Sequence, residues 1–179
     1  MTGDTGGGAG GSATRRQFRW LPSKHVALPL DRIGEYPLLA ECLRVWRRDA
    51  VGRLPSTIDP LELPVAVIKG VSLFRRDPAS GDWKVWLAGS LLTEGHGREM
   101  RGTGLADGIP PDDLPAVRQG IERAMARGEP DLVRREFQDP NDRWWSFVRL
   151  LLPLSSDGTA RDRYAMIIDP PTFGSAGIT

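Results

Sequence analysis

The chain has 179 residues, of which 40% are hydrophobic and 26% are charged, a composition that predicts one folded domain and excludes a wholly disordered chain. Lysines and arginines number 24 against 23 aspartates and glutamates, for a formal net charge of +1, which argues against nucleic acid or an anionic membrane as partner. Cys42 is the single cysteine, so an intrachain disulfide is excluded, and without a signal peptide or an apolar run of roughly 20 residues we expect a cytoplasmic protein.

The N-terminal part of the chain divides into a tail and an extension. Residues 1–15 are almost all Gly, Ala, Ser and Thr and predict a disordered tail. Residues 16–52 form an N-terminal extension, in which an apolar stripe predicts an amphipathic helix from about 35 to 51. The stripe repeats every three or four residues and consists of Tyr36, Leu39, Leu43, Trp46 and Ala50.

Residues 53–170 carry the pattern of an α+β domain. Asp59 can cap a short helix that begins at Pro60. β-Branched and aromatic residues then predict strands at 65–74 and 83–88. A short helix over 90–98 leads into a glycine-rich stretch.

The second half of this domain predicts one longer helix and three strands. The helix begins at Pro111 and ends before Gly128. The strands occupy about 131–138, 143–153 and 161–168, and turns at 139–142 and 155–158 separate them. Residues 171–179 remain as a C-terminal tail.

Three short stretches are similar to one protein family. Trp46 is followed by Leu-Pro-Ser at 54–56 and by Asp-Pro-Leu at 59–61. A strand that ends in Leu-Ala-Gly at 87–89 precedes a Gly-Arg-x-x-x-Gly turn at 97–102, and a Leu-Pro-Leu strand end follows at 152–154. In this order and spacing, over about residues 40 to 170, the chain resembles the short stand-alone bacterial PAS proteins.

The resemblance implies a PAS-like fold and a role in bacterial signalling. We expect a five-stranded antiparallel sheet with short helices on one face, and a cavity between them that is either filled or open to an apolar small molecule. The candidate cavity residues are Trp86, Leu91, Leu92, His96, Met100, Leu105, Met125, Leu150 and Met166. The favoured function is a sensory or protein-interaction module that docks to a separate signalling protein, and the alternative is a small-molecule sensor.

Chemical functions have weaker support, and we assign no cofactor, metal site or catalytic residue. His96 could ligate a haem iron, but its glycine neighbours favour a residue that is exposed in a turn or that hydrogen-bonds a backbone carbonyl. Cys42 could form a flavin adduct, although a packed core cysteine is the favoured interpretation. The carboxylate pair Asp112 and Asp113 resembles a helix start. We therefore predict that the protein is not an enzyme.

The amphipathic helix offers a surface for self-association. Its stripe is broad enough to cover the domain and also to meet a second copy. We predict a homodimer with Leu39, Leu43 and Trp46 as buried anchors. In the alternative, this helix covers only its own sheet.

Overall fold

The computed structural model describes residues 23–138 and 144–176, and within them an antiparallel sheet and several short helices form an α+β fold. The predicted N-terminal tail, the turn at 139–142 and the last three residues lie outside the described residues. The strands are β1 Lys24–Leu28, β2 Val71–Arg76, β3 Trp83–Leu87, β4 Asp131–Gln138, β5 Trp144–Leu154, β6 Arg163–Ile168 and β7 Gly174–Ala176. The α-helices are α1 Pro37–Asp49, α2 Ser90–His96, α3 Leu105–Gly108 and α4 Leu114–Arg127.

Six strands follow one another across the sheet in the order β1-β4-β5-β6-β2-β3. Each neighbouring pair is antiparallel. The long strand β5 pairs along one side with β6 and, nearer its start, with the short strand β7. The hairpin strands β4, β5 and β6 are thus central, and β1 and β3 are the edges.

Helices cover both faces of the sheet. Alternate residues of β5 point to opposite sides, so Val148, Leu150 and Leu152 pack with the apolar side of α1. Leu151, one position away, instead joins the cluster beneath α3 and α4. The helical segment between β3 and β4 therefore lies on the face opposite α1.

Helix α1 packs tightly against its own sheet. Leu39, Leu43 and Trp46 are all buried inside this chain, and the Trp46 indole Nε1 donates a hydrogen bond of 2.8 Å to the carbonyl oxygen of Pro153. These side chains are not available to a second copy, which corrects their predicted role as dimer anchors. Homodimerisation stays a prediction, and it requires another surface.

Two segments differ from the sequence prediction. A 3-10 helix, Val65–Gly70, occupies the first part of the strand predicted at 65–74. Strand β1 lies in the N-terminal extension, for which no strand was predicted, and pairs with β4 along its whole length. Among the described residues, no helix has the length and apolar character to cross a bilayer.

Candidate functional site

A cavity of about 60 Å³ lies between the sheet and the helices α2, α3 and α4. Every strand from β1 to β6 contributes to its wall. The apolar and aromatic lining consists of Phe74, Val85, Leu92, Met100, Leu105, Ile109, Val117, Ile121, Phe147, Leu151, Tyr164 and Met166. The charged or titratable lining consists of His25, His96, Arg135 and Arg149.

The cavity brings together five of the nine candidate residues. Those five are Leu92, His96, Met100, Leu105 and Met166. The other four lie elsewhere in the fold. Trp86 is on the surface with 44% of its area exposed, Leu91 packs beside Phe137 and Trp145, Met125 packs in the core under α4, and Leu150 lies on the α1 face of the sheet.

The two arginines of the wall were not predicted. Arg135 on β4 and Arg149 on β5 are almost completely buried. Burial disfavours the charged form, so it lowers the pKa of Arg135 to about 10 and also lowers that of Arg149. Their positions follow from strand alternation, because the neighbours Arg134 and Arg135 must point to opposite faces. Arg149 is the only charged residue within the apolar run of β5, and this was a second indication that a charged side chain points into the domain.

The two histidines of the wall are kept neutral. Burial is the main cause that lowers the pKa of both to about 4, and the nearby Arg135 adds to it. His25 Nε2 lies 2.7 Å from the Ser23 hydroxyl. His96 is partly buried in the cavity wall, which corrects its interpretation as an exposed turn residue.

Neutral histidines predict a stability that falls in mild acid. Unfolded histidine takes up a proton near pH 6.5, whereas the folded residues do so near pH 4, so stability is lost as the pH falls through that interval. For His96 we expect a loss of at most roughly 3 kcal/mol; the more exposed His25 contributes less. Urea unfolding between about pH 7 and pH 4.5 measures the effect.

A variant isolates this contribution. His96→Gln should show a shallower decline of unfolding free energy over the same interval, because glutamine does not titrate. Ion-paired carboxylates such as Glu122, whose pKa is lowered, lose their contribution mainly below about pH 4.5. An identical decline in His96→Gln and the unaltered protein would contradict the assignment.

An outer groove of about 290 Å³ adjoins the cavity. The two share His96, Gly108, Ile109 and Arg135 as walls. A Cβ atom at Gly108 would lie 2.7 Å from the terminal methyl of Met100 and 3.3 Å from His96 Cε1. The absence of a side chain at Gly108 therefore keeps space open at the boundary between groove and cavity.

The single cysteine lies apart from this site. Cys42 is completely buried on α1, in the cluster on the opposite face of the sheet. Burial raises the pKa of its thiol to about 12, so the nucleophilic thiolate is scarce at neutral pH. Within the part of the chain that the structure describes, no cluster of three or more histidine, cysteine or acidic side chains could hold a metal ion.

The cavity is therefore a small chamber with apolar walls and two buried cations, and it adjoins an outer groove. No protein-family model matches the chain, and no curated protein is significantly similar to it.

Proposed function

We propose that this chain is a PAS-like sensor domain that binds a small molecule in the cavity between its sheet and helices α2 to α4. The observation that carries the proposal is the chamber itself, which adjoins a groove and combines apolar walls with a few polar groups. Such a combination is typical of ligand sites. Of the functions predicted from the sequence, the small-molecule sensor is therefore the one we favour.

The arrangement of the elements supports the PAS resemblance. Strands β2 to β6 lie together in one antiparallel sheet, and short helices fill the connection between β3 and β4. The strand end at Ala88 and Gly89 leads directly into α2, as the motif implies. These features agree with the five-stranded sheet that the family resemblance leads us to expect.

A ligand in this cavity would contact the N-terminal strand. His25 on β1 lines the cavity, and the backbone N–H of Ser23 donates to both carboxylate oxygens of Asp113, at 3.1 and 3.2 Å. Asp113 immediately precedes α4. If a ligand binds more tightly when β1 is in one position than in another, it increases the fraction of molecules with β1 in that position. Ligand binding would then change the conformation of the N-terminal extension.

Native mass spectrometry of freshly purified protein, beside its absorption spectrum, tests the proposal. We expect an added ligand mass that is lost on denaturation. In Gly108→Ala the new methyl group displaces the flexible end of Met100, so the variant should fold but retain several-fold less ligand. Equal ligand in both proteins would place it outside this cavity, and an empty spectrum together with a failure to take up any added small molecule would reject the sensor function.

Protein interaction is the second candidate function. Val65, Ile68 and Leu87 line one open surface depression, and they are 89%, 38% and 47% exposed. This apolar patch lies beside the edge strand β3, and exposed patches of that kind often mark contacts between proteins. A second copy of the chain is the occupant consistent with the predicted homodimer, and the same native spectra would report its mass.

A further inference from the structure

Two buried arginines stand next to each other in the cavity wall. Arg135 pairs with Phe147 across the β4–β5 ladder, and Arg149 lies two residues beyond Phe147 on the same face. They are diagonal neighbours, within reach of each other's long side chains. Only 9% of Arg135 and 7% of Arg149 is exposed. The wall therefore carries two positive charges that water hardly reaches.

Neither guanidinium is fully paired by the protein. The closest carboxylate to Arg149 is that of Asp131, 3.9 Å from Nη2 to Oδ2, which is beyond hydrogen-bond range. Arg135 lies over the Phe137 ring, with 5.1 Å between Cζ and the ring centroid. Within residues 23–138 and 144–176, Arg135 Nε and Arg149 Nη1 are buried donors without an acceptor.

A buried charge whose donors lack acceptors lowers the stability of the folded protein, and an anion bound in the cavity would offset this loss. Asp113 acts on Arg135 through space and accepts a hydrogen bond from the Ser23 N–H. It therefore offsets part of the Arg135 charge but leaves the buried Nε without an acceptor among the described residues. A carboxylate is planar and offers two acceptor oxygens, the geometry that a guanidinium matches best. The wall of the chamber thus carries two buried donors without an acceptor in the part of the chain that the structure describes, one on each arginine.

Size and wall chemistry limit the rest of the ligand. At about 10 to 15 Å³ for each water-sized group, a chamber of about 60 Å³ accommodates on the order of four to six such groups. Apolar side chains such as Leu105 and Ile121 form the helical side. A bound phosphate would place charged oxygens in contact with these apolar side chains, which is unfavourable, whereas a short alkyl group would pack against them.

We propose that the cavity binds a short-chain carboxylate of about two to four carbons, whose oxygens accept hydrogen bonds from Arg135 and Arg149 while its alkyl end packs against the helices. This inference rests on the proposed function and specifies the ligand class. The outer groove, which shares Arg135 with the cavity, is the route by which the acid enters.

Isothermal titration calorimetry of the full chain tests the charge requirement. Sodium propionate is compared with propionamide, which has the same shape but no charge, in a buffer without other carboxylates. We expect propionate to bind at least about tenfold more tightly, since only the acid pairs with the buried guanidinium groups. This comparison uses the unaltered protein and so does not depend on any variant's folding.

Substitutions then locate the charge. Arg135→Met and Arg149→Met should each weaken propionate binding by about tenfold or more. Both should melt at or near the temperature of the unaltered protein, because the charge that is replaced by an apolar chain is buried and has an unsatisfied donor. Arg134→Met is the matched control: it removes the same charge from the adjacent position of β4, where Arg134 instead donates to the Tyr36 hydroxyl at 3.2 Å. Its affinity should be unchanged.

The outcomes separate the two proposals. Equal affinity for propionate and propionamide overturns the carboxylate inference but leaves the cavity as a small-molecule site. If Arg134→Met loses as much affinity as the cavity variants, the loss reflects the change in net charge and not a contact in the cavity. That result would also overturn the carboxylate inference. If neither compound binds, the inference fails, and the mass of any ligand retained in the native spectra decides the sensor function independently.

Discussion

Trp46→Ala should lower the unfolding free energy by about 4 kcal/mol, because it removes the largest side chain with which α1 holds the sheet. Trp46 is 6% exposed and packs in the cluster that contains Leu150 and Leu152. The substitution leaves a cavity and also removes the donor to the Pro153 carbonyl oxygen. Urea unfolding followed by circular dichroism measures the loss, since tryptophan fluorescence would change for trivial reasons.

Two comparisons make this result specific. Trp86→Ala removes the same side chain from a site that is 44% exposed and should cost less than about 1 kcal/mol. Trp46→Phe keeps most of the ring but not the N–H, and it should fall between the two. The loss of unfolding free energy caused by Trp46→Ala should be the same at every protein concentration, because Trp46 is buried within one chain. A concentration-dependent midpoint that Trp46→Ala abolishes would restore the interpretation of α1 as a pairing helix.

The sequence predicted best those elements whose apolar period is long and whose ends carry turn residues. The stripe at 35–51 corresponds to α1 at Pro37–Asp49, and the three final strands lie within a few residues of their predicted limits. Gly128 ends α4 with a φ of 69°, a left-handed conformation that glycine adopts without strain. Local chemistry decides such boundaries, so a single sequence is sufficient.

Elements that depend on distant partners were harder to predict. β1 has only five residues and is an edge strand, with Val26 47% exposed, so its sequence has no strong alternation of apolar and polar positions. It forms because β4 offers a free edge. The 3-10 helix Val65–Gly70 likewise places Val65 in solvent, although β-branched residues favour a strand.

Five of the nine candidate cavity residues line the chamber that the structure shows, but the charged residues of its wall were not among the candidates. Apolar candidates such as Leu92 and Met166 reach its wall, because strand and helix periods indicate which side chains point inward. Arginine usually lies at the surface, so Arg135 and Arg149 were not counted as lining, and the predicted ligand was apolar. Only the three-dimensional structure brings both charges to one chamber, together with a histidine from the unpredicted strand β1.

Gly89→Ala should destabilise the fold by about 3 kcal/mol or more, although it adds a single methyl group. Gly89 has φ −68° and ψ 152°, an extended conformation open to any residue, so the requirement is for space. A Cβ atom would lie 2.5 Å from the Val71 carbonyl oxygen and 2.7 Å from that of Lys69. Backbone atoms cannot rotate away as a side chain can, so the strand end must move.

That movement would also break a buried hydrogen bond, because the Gly89 N–H donates to the Ser72 hydroxyl at 3.0 Å and Ser72 is completely buried. The control is Gly120→Ala on α4, where an added Cβ meets nothing within 4 Å and alanine should stabilise the helix by up to about 1 kcal/mol. Thermal and urea unfolding should therefore show shifts of opposite sign for the same chemical change. Equal shifts would mean that the backbone around Gly89 yields to a methyl group, and that the junction between β3 and α2 is less tightly packed than these distances require.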